Sequence, residues 1–273
     1  MGMGEDGTIA ADTYKNIIRK LRYNKDIKAI VLRINSPGGS SLASEIIWRE
    51  IELTRKAGKP VVVSMGDLAA SGGYYIACNA DSIFAQPNTL TGSIGVFAVV
   101  PDFSAFMKNK LGITFDGVKT AAYADALTVT RPMTPQEKRI IQGEVDKIYA
   151  DFKQRVADGR KKDTAYIDSI AQGRVWTGKR AVTIGLVDRI GNIDDAVKAA
   201  ASLAGLENYA LREFPEPRSP FDVLFGNFGR QYQIKLMREE LGDEQYQLLK
   251  KIRQIKELAA QPMARMAFDA EIH

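Results

Sequence analysis

The chain of 273 residues contains one histidine and one cysteine, and these two scarcities remove much of the usual catalytic chemistry. The histidine is the terminal residue, His273, and a frayed terminus cannot hold an imidazole in a triad or dyad. A zinc site made of histidine and cysteine clusters is excluded because one histidine and one cysteine are too few to form it. The single cysteine, Cys78, cannot form a disulfide within the chain. We therefore expect neither histidine chemistry nor a zinc site of this kind.

Long apolar runs and a strong charge imbalance are absent too. No run of about 18 apolar residues occurs, and residues 1–6 (MGMGED) offer no apolar stretch for a secretory signal. The 38 Lys+Arg against 33 Asp+Glu give a formal charge of +5, which is too modest and too evenly spread to indicate a nucleic-acid partner. With 45% hydrophobic and 26% charged residues, the composition is typical of a soluble globular protein.

The hydrophobic pattern predicts alternating strands and helices. An apolar run at 29–34, an amphipathic helix at 43–57 and a β-branched run at 60–65 together form a βαβ unit, which predicts parallel strands. Thr134, followed by Pro135 and Glu137, predicts a capping box that begins a long helix ending at Gly159. The other predicted elements are helices at 12–23, 69–78, 103–111, 178–184 and 193–204, strands at 82–85 and 115–118, and an extended segment at 92–100.

The predicted domain organisation is one α/β domain over residues 1–215, with its first strand missing, and a helical C-terminal extension over 216–273. Within the extension, apolar residues recur at helical spacing from Leu248 to Leu258, beside several basic residues. One interpretation is a basic amphipathic helix on an anionic membrane surface. The other is a helix that packs on its own or a neighbouring subunit. This interpretation is favoured because acidic residues dilute the basic face of the helix.

Two glycine-flanked segments each follow a predicted strand. Asn35–Ser40 (NSPGGS) allows a tight turn with bare N–H groups near a ligand, although this motif alone is more typical of a plain strand-to-helix turn. In the second segment, Ser71 lies among small residues where a strand passes into a helix. Such a junction can expose a hydroxyl and direct the N–H of Gly72 at a developing oxyanion. Taken alone, a serine in this setting is more often a packing residue than a nucleophile.

Taken together, six motifs in order resemble the signal peptide peptidase A (protease IV) family of serine peptidases. The resemblance covers roughly residues 27–205 and implies a ClpP/crotonase-like α/β spiral of βαβ units. This fold agrees with the βαβ unit predicted above from the hydrophobic pattern alone. The motifs are Asn35–Ser40 (NSPGGS), Ala69–Tyr75 (AASGGYY), Leu90–Val96 (LTGSIGV), Thr130–Thr134 (TRPMT), Gly173–Gly178 (GRVWTG) and Gly185–Asp188 (GLVD).

The family uses a Ser-Lys dyad, which suits a chain without a usable histidine. By motif match, Ser71 is the expected nucleophile, and the backbone N–H groups of Gly72 and Gly38 are the expected oxyanion hole. Ser93 matches the serine that holds the base lysine, the alternative being an ordinary turn serine. The backbone around Gly38 and Gly95 is expected to pair with an extended peptide substrate.

The lysine base is missing from its expected place. The matching segment reads Ala122-Tyr123-Ala124-Asp125, so Ala124 stands at the lysine position, and Lys119 is interpreted as a surface residue. A lysine base must lower its pKa by about three units, at a cost of about 4 kcal/mol, which requires burial. Double-length family members contribute the lysine from an N-terminal copy of the fold, so this chain resembles their C-terminal half.

The resemblance implies a serine endopeptidase that degrades signal peptides without a metal or cofactor, with the lysine-bearing N-terminal half as a partner. The isolated chain is expected to be weak or inactive. It further implies a homo-oligomer associated with the outer, periplasmic face of the bacterial inner membrane, through a segment absent from this chain. The alternative is a catalytically inactive scaffold or assembly module of the same fold. Retention of Ser71, Gly72 and Ser93 favours the peptidase.

Overall fold

The computed structural model describes residues 9–216, Gly242 and residues 262–265. Met1–Tyr209 and Gln261–His273 form one compact unit, and Ala210–Ala260 form a second. The elements below all belong to the first unit. Its helices are α1 Ala11–Tyr23, α2 Ser41–Lys56, α3 Gly72–Ala77, α4 Ser104–Leu111, α5 Pro135–Arg160, α6 Thr164–Ile170, α7 Gly178–Thr183 and α8 Ile193–Leu203. Its strands are β1 Ile30–Ser36, β2 Gly38–Ser40, β3 Val61–Ala70, β4 Ser82–Ala85, β5 Leu90–Gly92, β6 Val175–Thr177, β7 Arg189–Ile190 and β8 Met263–Arg265.

Strand β3 is the centre of a six-stranded sheet. The strand order is β6-β5-β3-β4-β7, and β1 pairs with β3 off this path. Strands β1, β4 and β5 run parallel to β3, as the βαβ pattern predicts, whereas β6 is antiparallel to β5. The β-branched residues Val61, Val62 and Val63 are buried because both faces of β3 are covered.

The two halves of β3 have different neighbours. Along one edge, residues 62–64 pair with β4 and Leu68–Ala70 pair with β5, while β1 pairs along the other edge from Val61 to Ala69. Where the register of β1 and β3 shifts, between Ile34 and Ser36, the Asn35 side-chain oxygen accepts a hydrogen bond from the Leu68 N–H at 3.1 Å. This side-chain bond replaces a ladder bond and keeps the end of β1 beside the end of β3. The loop after each strand is thereby brought to the same edge of the sheet.

Three element boundaries differ from the sequence predictions. The helix predicted at 69–78 begins only at Gly72, because Ala69 and Ala70 continue β3. The strand predicted at 115–118 is a loop. The capping box of Thr134 and Glu137 is confirmed, but α5 passes through Gly159 and ends at Arg160, and the following Lys161 is left-handed with φ 52°. Gly159 is needed instead for close contact, since a methyl group there would overlap the Cys78 carbonyl oxygen.

The predicted C-terminal extension is described only at Glu216, Gly242 and residues 262–265. Within it, Met263–Arg265 form strand β8 rather than part of a helix. The helix predicted near 248–258 lies outside the described residues, and so does most of the segment before Asp12. In the part of the chain that the structure describes, no helix is long and apolar enough to cross a membrane.

Glu50 on α2 is expected to contribute strongly to stability. Its side chain is 4% exposed and pairs with Arg19 at 2.6 Å and with the buried guanidinium of Arg22 at 2.8 Å. We predict that Glu50→Ala lowers the free energy of unfolding by about 3 kcal/mol, because it leaves a buried cation unpaired. Urea denaturation measures this. The control is Glu52→Ala on the same helix, which loses surface pairs with Arg49 and Lys56 and should cost at most about 1 kcal/mol. Equal losses would contradict the prediction.

Candidate active site

Ser71 occupies the junction between β3 and α3 with an unusual backbone conformation. Its φ of 53° and ψ of −115° lie in a region that favours glycine. Two backbone hydrogen bonds hold it there: its N–H donates to the Gly92 carbonyl at 2.8 Å, and its carbonyl accepts from the Tyr75 N–H at 2.7 Å. The fold therefore maintains a strained turn at the position where the sequence predicts a nucleophile.

The Ser71 hydroxyl is buried but only weakly bonded. The residue is 0% exposed, and its hydroxyl donates to the Gly95 carbonyl oxygen at 3.4 Å. An O–H···O hydrogen bond is usually 2.5–3.0 Å long, so this contact constrains the proton little. A base that reached the hydroxyl could therefore take up its proton without breaking a strong bond.

Gly38 and Gly72 lie next to each other beside Ser71. A methyl group added to Gly38 would lie 2.7 Å from the Gly72 backbone nitrogen, and one added to Gly72 would lie 2.6 Å from the Ser44 hydroxyl. Gly38 also has a φ of +101°, which other residues rarely adopt. The Gly38 N–H donates to the Ser36 hydroxyl at 3.2 Å, which is at the long end for such a bond.

Ser93 follows β5 on the same side of the molecule as Ser71. It is buried with a φ of 49°, and its N–H donates to the Arg174 carbonyl at 2.7 Å. One step further, the Gly173 N–H donates to the Ile94 carbonyl at 2.9 Å. The segment that ends in β6 therefore fixes the backbone around Ser93. This contact brings together two of the motifs that the sequence singled out.

The structure places Ala124, at the expected lysine position, in an exposed turn. Lys119 is paired with Asp125 at 2.8 Å, as expected of a surface residue. Arg131 also pairs with Asp125, at 2.8 Å, and with Glu137 at 2.6 Å, so it ties this turn to the start of α5. Among the described residues, no lysine amine forms a hydrogen bond with Ser71 or Ser93.

Cys78 offers no second nucleophile. It follows α3, is fully buried, and donates from its thiol to the Tyr75 carbonyl at 3.1 Å. Burial raises the pKa of this thiol to about 12. The thiolate is the reactive form of cysteine, so Cys78 is chemically inert near neutral pH.

Strand β8 is a part of the site that the sequence does not predict. Residues 263–265 pair in antiparallel register with Gly38–Ser40, next to the glycines described above. A cavity of about 50 Å³ lies beside them, lined by Gly38, Gly72 and Ile47 among others. The four residues Pro262–Arg265 contain no motif and no alternating pattern, so nothing in the sequence pointed to this position.

Two family profiles match the chain. The Clp protease profile matches residues 5–91, which together with the parallel α/β sheet confirms the predicted ClpP-like fold. The profile of peptidase family S49 matches residues 53–207 and so covers Ser71, Ser93 and the later motifs. The chain belongs to peptidase family S49.

Individual relatives agree with this assignment. Protease 4 of Salmonella typhi is 45% identical over 218 residues, which is 80% of this chain and 35% of that protein. The chloroplastic serine protease SPPA of Arabidopsis thaliana is 38% identical over 224 residues, which is 80% of this chain and 33% of that protein. This chain thus spans about a third of the length of these relatives. Among solved structures, a ClpP1 mutant from Listeria monocytogenes is 18% identical, with a TM-score of 0.46 over 68% of this chain and 86% of that one.

The strained turn gives a prediction that separates backbone from side-chain effects. We expect Ser71→Gly to be more stable than Ser71→Ala by about 1 kcal/mol, because both lose the hydroxyl but only glycine relaxes at a positive φ. Urea denaturation measures the difference.

The control for this comparison is Ser64, a buried residue in the middle of β3. At this position the Ser64→Gly variant should be less stable than the Ser64→Ala variant, because glycine weakens a regular strand. If alanine is the more stable replacement at both positions, the backbone of Ser71 is not strained.

Proposed function

We propose that this chain is the nucleophile-bearing half of a serine endopeptidase of the Ser-Lys type. Ser71 is its nucleophile, and the lysine base comes from an N-terminal half of the longer protein. The observation that carries the proposal is the buried Ser71 hydroxyl, held in a strained turn beside Gly72 and Gly38. A packing serine would gain nothing from a backbone conformation that favours glycine.

In the proposed reaction, the Ser71 oxygen attacks the carbonyl carbon of the peptide bond and its proton passes to the neutral lysine amine. Negative charge develops on the carbonyl oxygen, where the N–H groups of Gly72 and Gly38 stabilise it. The charged oxygen competes well for the Gly38 N–H because that donor's bond to Ser36 is long. The lysine then protonates the leaving amine, and water hydrolyses the resulting ester to restore the serine hydroxyl.

The lysine must be shielded from water in the assembled site, since burial is what lowers its pKa toward neutrality. The Ser93 hydroxyl would accept a hydrogen bond from the lysine amine and so hold the amine in position. A docking surface for the missing half is supported by the segment around Ala124, which exposes many large apolar side chains. These are Phe103, Phe106, Leu111, Ile113, Phe115, Val118, Tyr123 and Leu127. The proportion of the relatives that this chain spans, about a third, also leaves room for a second copy of the fold.

We propose extended peptides, and signal peptides in particular, as the substrates. Gly38–Ser40 is a short strand that can add a peptide strand through main-chain hydrogen bonds, which suits substrates of varied sequence. Relatives named Protease 4 and serine protease SPPA support the peptidase class. By the same resemblance, the full-length protein would assemble as a homo-oligomer on the outer face of a bacterial inner membrane.

A scaffold role is the second candidate, and the observation that favours it is the alanine at position 124. A module without activity has no use for a strained serine, however. Glycine at position 71 would relieve the strain without cost to such a module. The persistence of serine there supports catalysis over assembly alone.

We predict that the isolated chain hydrolyses peptide esters slowly, and that adding the N-terminal half raises kcat/KM at least a hundredfold. The reason is that neutral base and nucleophile then meet in one site. Ser71→Ala should abolish the gain, whereas Ser202→Ala, on the exposed surface of α8, should retain it.

Two outcomes would contradict this division of the site. Robust turnover by the isolated chain that Ser71→Ala abolishes would show that the base lies within this chain. If the N-terminal half binds the chain but restores no activity, the scaffold role is correct.

A further inference from the structure

A second cavity lies between α2 and α5. Its volume is about 370 Å³, which is within the range of roughly 300–1,000 Å³ that small-molecule sites usually have. Helix α2 contributes Trp48 to its lining, helix α5 contributes Arg155 and Asp158, and the turn after α3 contributes Asn79. Of the described residues, none lines both this cavity and the one beside Gly38. The function proposed above therefore does not account for this cavity.

Buried polar side-chain atoms without a hydrogen-bond partner are concentrated in the residues that line this cavity. In the described part of the chain there are four such atoms, which are Trp48 Nε1, Arg155 Nε, and both Nδ2 and Oδ1 of Asn79. Asn79 is only 4% exposed, and Trp48 is 5% exposed. Buried polar groups in proteins nearly always have a partner, so four unpartnered atoms around one cavity point to a binding site.

These unpartnered groups define what a ligand has to offer. The Trp48 N–H is near the Cys78 sulfur, a weak acceptor, so the unmet bonding capacity lies mainly with Asn79 and Arg155. The Arg155 guanidinium lies over the Trp48 ring, with Cζ 4.2 Å from the ring centroid, and its Nη2 donates to Glu45 at 3.0 Å. The Arg155 Nε–H remains available, and the Asn79 amide adds two donors and one acceptor. Donors thus exceed acceptors, which favours a ligand with a carboxylate and one further donor group.

The charged side chains around the cavity balance each other, three of each sign: Arg55, Lys56 and Arg155 against Glu52, Asp81 and Asp158. Four of them form two ion pairs, of 2.8 and 2.7 Å. Asp158 forms no ion pair with a described residue and accepts a hydrogen bond from the Gln154 amide at 2.7 Å. A balanced lining with one such carboxylate favours a zwitterion over an anion such as phosphate.

We propose that this cavity binds an α-amino acid as its zwitterion, with an apolar side chain against Trp48. The ligand carboxylate accepts hydrogen bonds from Arg155 Nε and Asn79 Nδ2, and the ligand ammonium group donates to Asn79 Oδ1 and the Asp158 carboxylate. Arg155 and Asp158 are three residues apart on α5, so they are neighbours on its surface. That spacing matches the adjacent charges of an α-amino acid.

The ligand has to displace part of the cavity wall, because the four unpartnered atoms are shielded from water. The Arg155 side chain is 34% exposed and is the part of the wall that is free to move. Its stacking on Trp48 is retained if the guanidinium slides along the ring rather than leaving it. The site is independent of the proposed peptidase function, since it uses neither Ser71 nor the glycines beside it.

The test is isothermal titration calorimetry of the full 273-residue chain with three small probes. L-leucine carries both charges, N-acetyl-leucine lacks the ammonium group, and leucinamide lacks the carboxylate. We expect L-leucine to bind with a Kd of about 1 mM or lower, and each of the other two probes to bind roughly tenfold more weakly or worse. Inorganic phosphate should not displace L-leucine.

Two variants assign the binding to the named groups. Asn79→Leu should abolish leucine binding yet leave the melting temperature unchanged or higher, because an apolar side chain replaces a buried polar one that has no partner. Asp158→Asn should weaken L-leucine roughly tenfold but leave the affinity for N-acetyl-leucine unchanged, because only L-leucine presents an ammonium group. The matched control is Asp151→Asn, exposed on the same helix, which should bind L-leucine like the parent.

Three results would overturn the proposal. They are no binding of L-leucine to the parent chain, equal leucine affinity in the parent and both variants, and displacement of L-leucine by phosphate, which would mark an anion site. The Ser71→Ala chain should bind L-leucine like the parent. Loss of peptidase activity with leucine binding intact therefore counts only against the function proposed above, and the two proposals fail separately.

Discussion

The site depends on the backbone turn at Ser71. This turn ends the central strand β3 and begins α3. Its direction is fixed by the hydrogen bond that the Ser71 N–H donates to the Gly92 carbonyl. Its positive φ is held by contacts that the sheet and the helix already make, so the strain is spread over a structure that would exist without it. If the turn relaxed, the hydroxyl would leave its place beside Gly72 and Gly38, and the strands around it would no longer converge on one point.

The sequence predicts much of the fold because hydrophobic periodicity reports local structure. The βαβ unit, strand β4 and the capping box of α5 follow from patterns within a few residues. The errors occur where contacts distant in sequence decide the outcome. Small residues at 69 and 70 suit a helix, yet they pair with β5, and Gly159 resembles a helix end, yet it accommodates the backbone at Cys78. Neither contact leaves a periodic signal.

The candidate site, too, has parts that the sequence predicts and parts that it does not. The motifs around Ser71, Gly38 and Ser93 are composed of residues with special backbone or hydroxyl chemistry, so a reader of the sequence can find them. Strand β8 is bound mainly through its backbone, and backbone hydrogen bonds place few demands on side chains. Because many sequences can make such bonds, the segment that forms β8 has no signature in the sequence.

In the proposed function, separating the base from the nucleophile couples the chemistry to assembly. A lysine on a free surface is protonated at neutral pH and cannot accept the Ser71 proton. In the proposed complex, docking removes that lysine from water and brings it to Ser93 in the same step, so the interface must supply the cost of about 4 kcal/mol for lowering its pKa. The exposed apolar side chains near Ala124 are a source of that free energy. In the proposed function, the buried Ser71 hydroxyl has a strained backbone but no base until docking occurs.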